Sequence, residues 1–180
     1  MNLPNKLTIM RVILIPFFVF FLLSPYFPAY GNYIAVAIFI VASLTDMLDG
    51  KIARRFNMIT DWGKFIDPVA DKLTFAAIAL SMSFSYPLMG VMFGVYVVKE
   101  LYMFCMGAYM LKRGFMMDGA QWYGKVCTAV TYGAIFLILI IPNMSAQVRD
   151  GLIGLCLFMT IAAFAGYALF YARAIKRLTK

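Results

Sequence analysis

The chain contains no histidine. That removes the commonest general base, any serine–histidine arrangement and any imidazole-rich zinc site. Charge is scarce too: 13% of the 180 residues are charged, against roughly a quarter in an average soluble domain. Only eight residues are acidic, so a cluster of acids stands out from the background. The three cysteines, Cys105, Cys127 and Cys156, each fall in an apolar run, where a buried reduced thiol is expected and a disulfide is not. Chemistry is left to carboxylates, lysines, arginines or a bound metal.

Apolar residues make up 64% of the chain, and the mean hydropathy is +0.86. These values define an integral membrane protein. A membrane helix needs about 20 mostly apolar residues, and six stretches qualify: Val12–Phe27, Tyr33–Arg54, Gly63–Tyr86, Leu88–Leu111, Gly119–Ile141 and Val148–Tyr171. Almost nothing lies outside them. The expected fold is therefore all-α and polytopic, with six transmembrane helices in a single membrane domain over residues 1–180. The opening MNLPNKLT reads as a short interfacial segment, with a turn at Pro4 and Asn5 and a helix start near Thr8. Its apolar continuation is too long, and too poor in small residues, for a cleaved signal peptide. Pro16 either bends the first helix or is absorbed in its first turns. The Met-rich fourth helix reads as lipid-facing and core packing.

The net charge of +8 would favour nucleic acid in a soluble protein, but here the basic residues mark one side of a membrane, and no nucleic-acid partner is expected. Lys6 and Arg11 precede the first helix, Lys51, Arg54 and Arg55 end the second, and Lys112 and Arg113 end the fourth. Arg173, Lys176, Arg177 and Lys180 follow the sixth, where they suit anionic lipid headgroups. The opposite loops hold only Arg149. The positive-inside rule places both termini, and the loop between the second and third helices, on the cytoplasmic side of the plasma membrane.

Acids enter the apolar runs in a pattern at one place, DMLDGKIARRFNMITDWGKFIDPVAD, from Asp46 to Asp71. Helical spacing pairs Asp46 with Asp49, and Asp67 with Asp71. An unpaired carboxylate in a membrane helix costs about 2.5–3.5 kcal/mol on the insertion scale, and four cost on the order of 10. Two divalent cations, Mg2+ or Mn2+, between facing pairs would offset that cost and balance four negative charges. A plainer reading pairs Asp46 and Asp49 with Lys51, Arg54 and Arg55 at a solvated helix end. That reading does not explain Gly50 and Ala53, small residues that let a ligand or another helix approach the backbone. Pro68 suits a helix start or a local kink. Lys64 and Lys72 read as snorkelling to headgroups.

In type and spacing, Asp46, Asp49, Gly50, Ala53, Arg54, Gly63, Asp67 and Asp71 match the signature of the CDP-alcohol phosphotransferase family, which this chain resembles over nearly its whole length. The resemblance implies six transmembrane helices, usually in a homodimer, with a cavity open to the cytoplasm. It implies that the four acids hold two divalent cations and that Asp71 takes the proton of an acceptor hydroxyl. It also implies a CDP-diacylglycerol site in which Gly50 and Ala53 make room for the cytidine and Arg54 and Thr60 contact the nucleotide, with Gly63 in the same signature and Asn5 nearby.

The opening NLPNKLTIMR and the run GKFIDPVADKL resemble phosphatidylglycerophosphate synthases, and also the cardiolipin synthases of this fold. The acceptor expected from this resemblance is glycerol 3-phosphate, with phosphatidylglycerol as the alternative. Lys99 and Lys125 are the acceptor-binding candidates. Here the chain reads Lys99-Glu100 with Gly107 further on, and Gly124-Lys125-Val126-Cys127-Thr128. The glycerophosphate enzymes commonly show Arg-Glu with a further Arg, and Gly-Lys-x-Lys-Thr. Lys125–Val130 also resembles the cardiolipin synthases. A rival from another class, a cation transporter, would carry its acids at mid-membrane depth on broken helices. These acids lie near a basic helix end instead.

Overall fold

The computed structural model describes residues 3–27, 30–55, 61–114 and 121–178, and the side chains of residues 7–27, 30–45, 69–114 and 121–176. Among these residues the chain forms six α-helices and no strand. They are α1 (Leu3–Leu23), α2 (Gly31–Arg55), α3 (Asp61–Ser83), α4 (Pro87–Lys112), α5 (Trp122–Ile140) and α6 (Ala146–Leu178). Each stretch singled out for its apolar length overlaps one helix.

The ends differ from expectation where local chemistry overrides hydropathy. Pro4 and Asn5, expected in a turn before the helix, fall in the first turn of α1, where a proline's missing N–H costs nothing. The helix runs through Pro16 and stops at Leu23, since Pro25 disfavours helical backbone at Ser24. The step from α3 to α4 is a tight turn. Ser85 N–H donates to the Met82 carbonyl (3.1 Å), Tyr86 is extended, and Pro87 opens α4. The tail expected after Tyr171 is helix up to Leu178, which makes α6 33 residues long. At 1.5 Å per residue it spans roughly 50 Å, well beyond a hydrocarbon core of about 30 Å.

Packing divides the chain into two compact units, Met1–Ser85 and Tyr86–Lys180. In the first, α1 packs against both α2 and α3. Its core is built from Phe18, Ala35, Val36, Phe39, Ala42, Ala70, Phe75, Ile78, Ala79 and Met82. In the second, α6 packs against α4 and α5 around Met89, Met92, Met110, Ile135, Ile138, Ile153, Cys156 and Tyr171. Cys127 and Cys156 are buried as expected. Cys105 is exposed, because it shares with Val98, Leu101 and Phe104 the face of α4 turned away from the buried methionines.

Large apolar side chains also cover the outside, among them Phe17, Phe20, Phe84, Phe104, Phe158 and Leu169. Such a surface would be an aggregation liability in water and is the ordinary one in lipid. By length and apolarity, Pro87–Lys112, Trp122–Ile140 and Ala146–Lys176 can each cross a membrane, and Leu7–Leu23 and Gly31–Thr45 are shorter apolar helices. Hydroxyls inside the helices bond to their own backbone: Thr45 donates to the Ala42 carbonyl, Thr74 to Ala70, Thr131 to Cys127 and Thr160 to Cys156, each at 2.8 Å. A hydroxyl held this way needs no water.

Candidate active site

Two helices of the first unit carry the acidic signature. Positions 46, 49, 50, 53 and 54 lie in the last turns of α2, and positions 63, 67 and 71 in the first half of α3. Because both segments are helical, 46 and 49 fall on one face of α2, and 67 and 71 on one face of α3, as the spacing requires. The α3 helix starts at Asp61, earlier than expected, which moves Pro68 past the first turn. Pro68 therefore does not mark a helix start. It lies inside α3 and offers no N–H to the carbonyl of Lys64. The side chains of Asn5, Asp46, Asp49, Ala53, Arg54 and Asp67 lie outside the described residues, as does Thr60 altogether. Gly50 and Gly63 are placed by the backbone alone.

Asp71 is the one signature acid whose side chain is described. It sits at the rim of the first unit's core, next to buried Ala70 and one turn before buried Phe75, with its side chain half exposed. Its Oδ1 accepts a hydrogen bond from Nη1 of Arg11, on α1. The guanidinium is buried, at 3% side-chain exposure, so the pair joins an inside cation to an outward-facing acid. Sequence reasoning took Arg11 only as a marker of membrane orientation. One signal could have found it: Thr8 and Arg11 lie three apart on the stripe that also buries Phe18.

The donor set suits a divalent cation. All four signature acids are aspartates, hard oxygen donors of the kind that Mg2+ and Mn2+ prefer. Asp71 engages Arg11 through Oδ1, and its side chain stays half exposed.

In the second unit, Lys99 lies midway along α4 and is bonded to Glu100 at 2.8 Å, with both side chains largely buried. Its ammonium also lies 5.1 Å from the centre of the Tyr96 ring. Lys125 is exposed on the first turn of α5, next to the backbone N–H groups of a helix start. The turn is held by close packing on α6. Tyr123 and Tyr167 meet edge to face at 4.9 Å, and each lies against a glycine of the opposite helix, Gly166 and Gly124 respectively. The structure thus gives the two candidate lysines different surroundings, one already paired and one open.

An α-helical membrane chain carrying this signature belongs to the CDP-alcohol phosphatidyltransferase family, whose model matches residues 1–169. Among its relatives is a protein of Salmonella typhimurium, 32% identical, with 98% of this chain and 89% of the relative covered. One from Escherichia coli K12 is 33% identical over the same shares. Both relatives carry the name CDP-diacylglycerol--glycerol-3-phosphate 3-phosphatidyltransferase.

Proposed function

We propose that this protein is a phospholipid-synthesising membrane enzyme that transfers the phosphatidyl group of CDP-diacylglycerol to glycerol 3-phosphate and releases CMP. The observation that carries the reading is the complete eight-residue signature on two helical segments, in a chain whose relatives are named for this reaction. An acceptor hydroxyl attacks the phosphorus that bears the diacylglycerol. A new P–O bond forms, the bond to the CMP oxygen breaks, and the hydroxyl proton passes to Asp71. Direct transfer is favoured over a covalent intermediate because the signature offers no serine, cysteine or histidine.

Asp46, Asp49, Asp67 and Asp71 would hold two divalent cations, which supply charge to stabilise the attacking and leaving oxygens. Gly50, Ala53, Arg54, Thr60, Gly63 and Asn5 line the nucleotide's place in this reading. Lys125 is the better acceptor candidate of the two lysines. It is exposed at a helix start, where backbone N–H groups and the positive end of the helix dipole also favour a phosphate, whereas Lys99 already holds Glu100. The rest of the reading is a single domain that crosses the plasma membrane six times as a homodimer, with termini and site in the cytoplasm.

Incubating purified protein with CDP-diacylglycerol, Mg2+ or Mn2+ and each acceptor tests the reaction. Phosphatidylglycerophosphate and CMP should form in equal amounts with glycerol 3-phosphate, and EDTA should stop both. Cardiolipin formed from phosphatidylglycerol instead would move the protein to the alternative acceptor. CMP release that survives EDTA would sink the metal-dependent reading.

A further inference from the structure

We infer that Arg11 is a positioning residue for Asp71: from α1 its guanidinium holds the orientation of that carboxylate. The inference rests on the proposed place of Asp71 among the four acids, and goes beyond it by giving α1 a part in the chemistry. Three observations support it. First, the polarity of α1 around Arg11 is inverted. Ile9, Met10, Val12 and Ile13 are 40%, 38%, 37% and 55% exposed, while Thr8 and Arg11 are 1% and 2% exposed. An arginine kept for membrane orientation or headgroup contact would extend its guanidinium toward the water. This one turns inward among the side chains that join α1 to its neighbours.

Second, the contact is directed. Nη1 of Arg11 meets Oδ1 of Asp71, a buried guanidinium against a half-exposed carboxylate. A planar, permanently charged guanidinium holds a carboxylate in a defined orientation better than a mobile ammonium does. Third, the partners come from helices sixty residues apart in sequence, so the contact ties α1 to the acid-bearing segment of α3. A ligand carboxylate hydrogen-bonded from behind in this way keeps its geometry, and loss of such a support typically lowers metal affinity or activity by about 10–100-fold.

Mn2+ binding, followed by the electron paramagnetic resonance signal of the free ion, tests the assignment without any turnover. The proteins to compare are the wild type, Arg11→Met, Arg11→Lys, Asp71→Asn and the Arg11→Met/Asp71→Asn double variant, each in detergent with its melting temperature recorded. Arg11→Met should weaken Mn2+ binding by about 10–100-fold, Arg11→Lys should recover most of that loss, and Arg11→Met should add nothing further once Asp71 is Asn. In the transfer assay Arg11→Met should lower kcat while KM for CDP-diacylglycerol stays near that of the wild type. Unchanged or tighter Mn2+ binding by Arg11→Met overturns the assignment, as does an equal loss with and without the Asp71 carboxylate. If Arg11→Met does not fold, Arg11→Lys carries the same comparison. Its smaller loss must vanish in the Asp71→Asn background, and persistence there overturns the inference. A folded wild type that binds no Mn2+ at all sinks the four-acid site, and this inference with it.

Discussion

At the scale of single residues, two aspartates of the signature are expected to serve different ends although both are proposed to touch metal. If Asp71 also receives the hydroxyl proton, Asp71→Asn should lower turnover by at least the 10²–10⁴-fold typical of a lost general base, roughly, while metal-dependent binding of CDP-diacylglycerol survives. Asp46→Asn should weaken metal and nucleotide binding together. Affinity for the nucleotide lipid, measured beside turnover at saturating substrate, separates the two, and a normal saturated rate in Asp71→Asn would remove its role as base. The identities and spacing of these acids were legible in the chain, because helical periodicity alone pairs them. The counter-ion was not. A cation near the start of an apolar run has the pattern of an orientation marker, and only the packing of α1 on α3 shows Arg11 turned inward to Asp71.

At the scale of helices, apolar length revealed all six elements, and their ends followed rules that hydropathy does not see. Pro4 is silent inside a first turn, Pro25 is a stop, and the sequence ARAIKRL continues a helix past the membrane as readily as it would anchor to it. Register between helices is set by contacts of a different kind. A methyl group at Gly166 would sit 2.9 Å from a ring carbon of Tyr123, whereas one at Gly154 meets nothing within 4 Å. Both glycines lie on α6. Gly166→Ala should therefore lower stability by about 1–3 kcal/mol through overpacking, while Gly154→Ala should be neutral or gain up to about 1 kcal/mol from helix propensity. Thermal unfolding of the two variants in one detergent checks the contrast. Equal melting temperatures would mean that α5 and α6 can part without loss. By moving the first turn of α5, Gly166→Ala should also raise KM for glycerol 3-phosphate more than KM for CDP-diacylglycerol.

For the molecule as a whole, the orientation proposed from where lysine and arginine fall can be checked without any assay of chemistry. In variants with each native cysteine replaced by alanine, a cysteine placed at Asn57 should react only with reagent on the cytoplasmic side, and one at Asn143 only from outside. Swapped accessibility would turn the site to the other face. Arg149, expected in a loop of the opposite side, lies in the first turn of α6, over the Tyr86 ring at 4.6 Å and bonded to Asp150 at 3.0 Å. The division into two units was not legible, since six apolar runs in succession carry no sign of which neighbours pack together. It has a consequence for heredity as much as for folding. The four acids and Arg11 are all encoded before Ser85, and both candidate acceptor lysines after it. A gene cut at that turn should yield a first fragment, Met1–Ser85, that still takes up Mn2+ in a membrane while making no lipid alone. Its product would be a metal-binding peptide that has been parted from its trade.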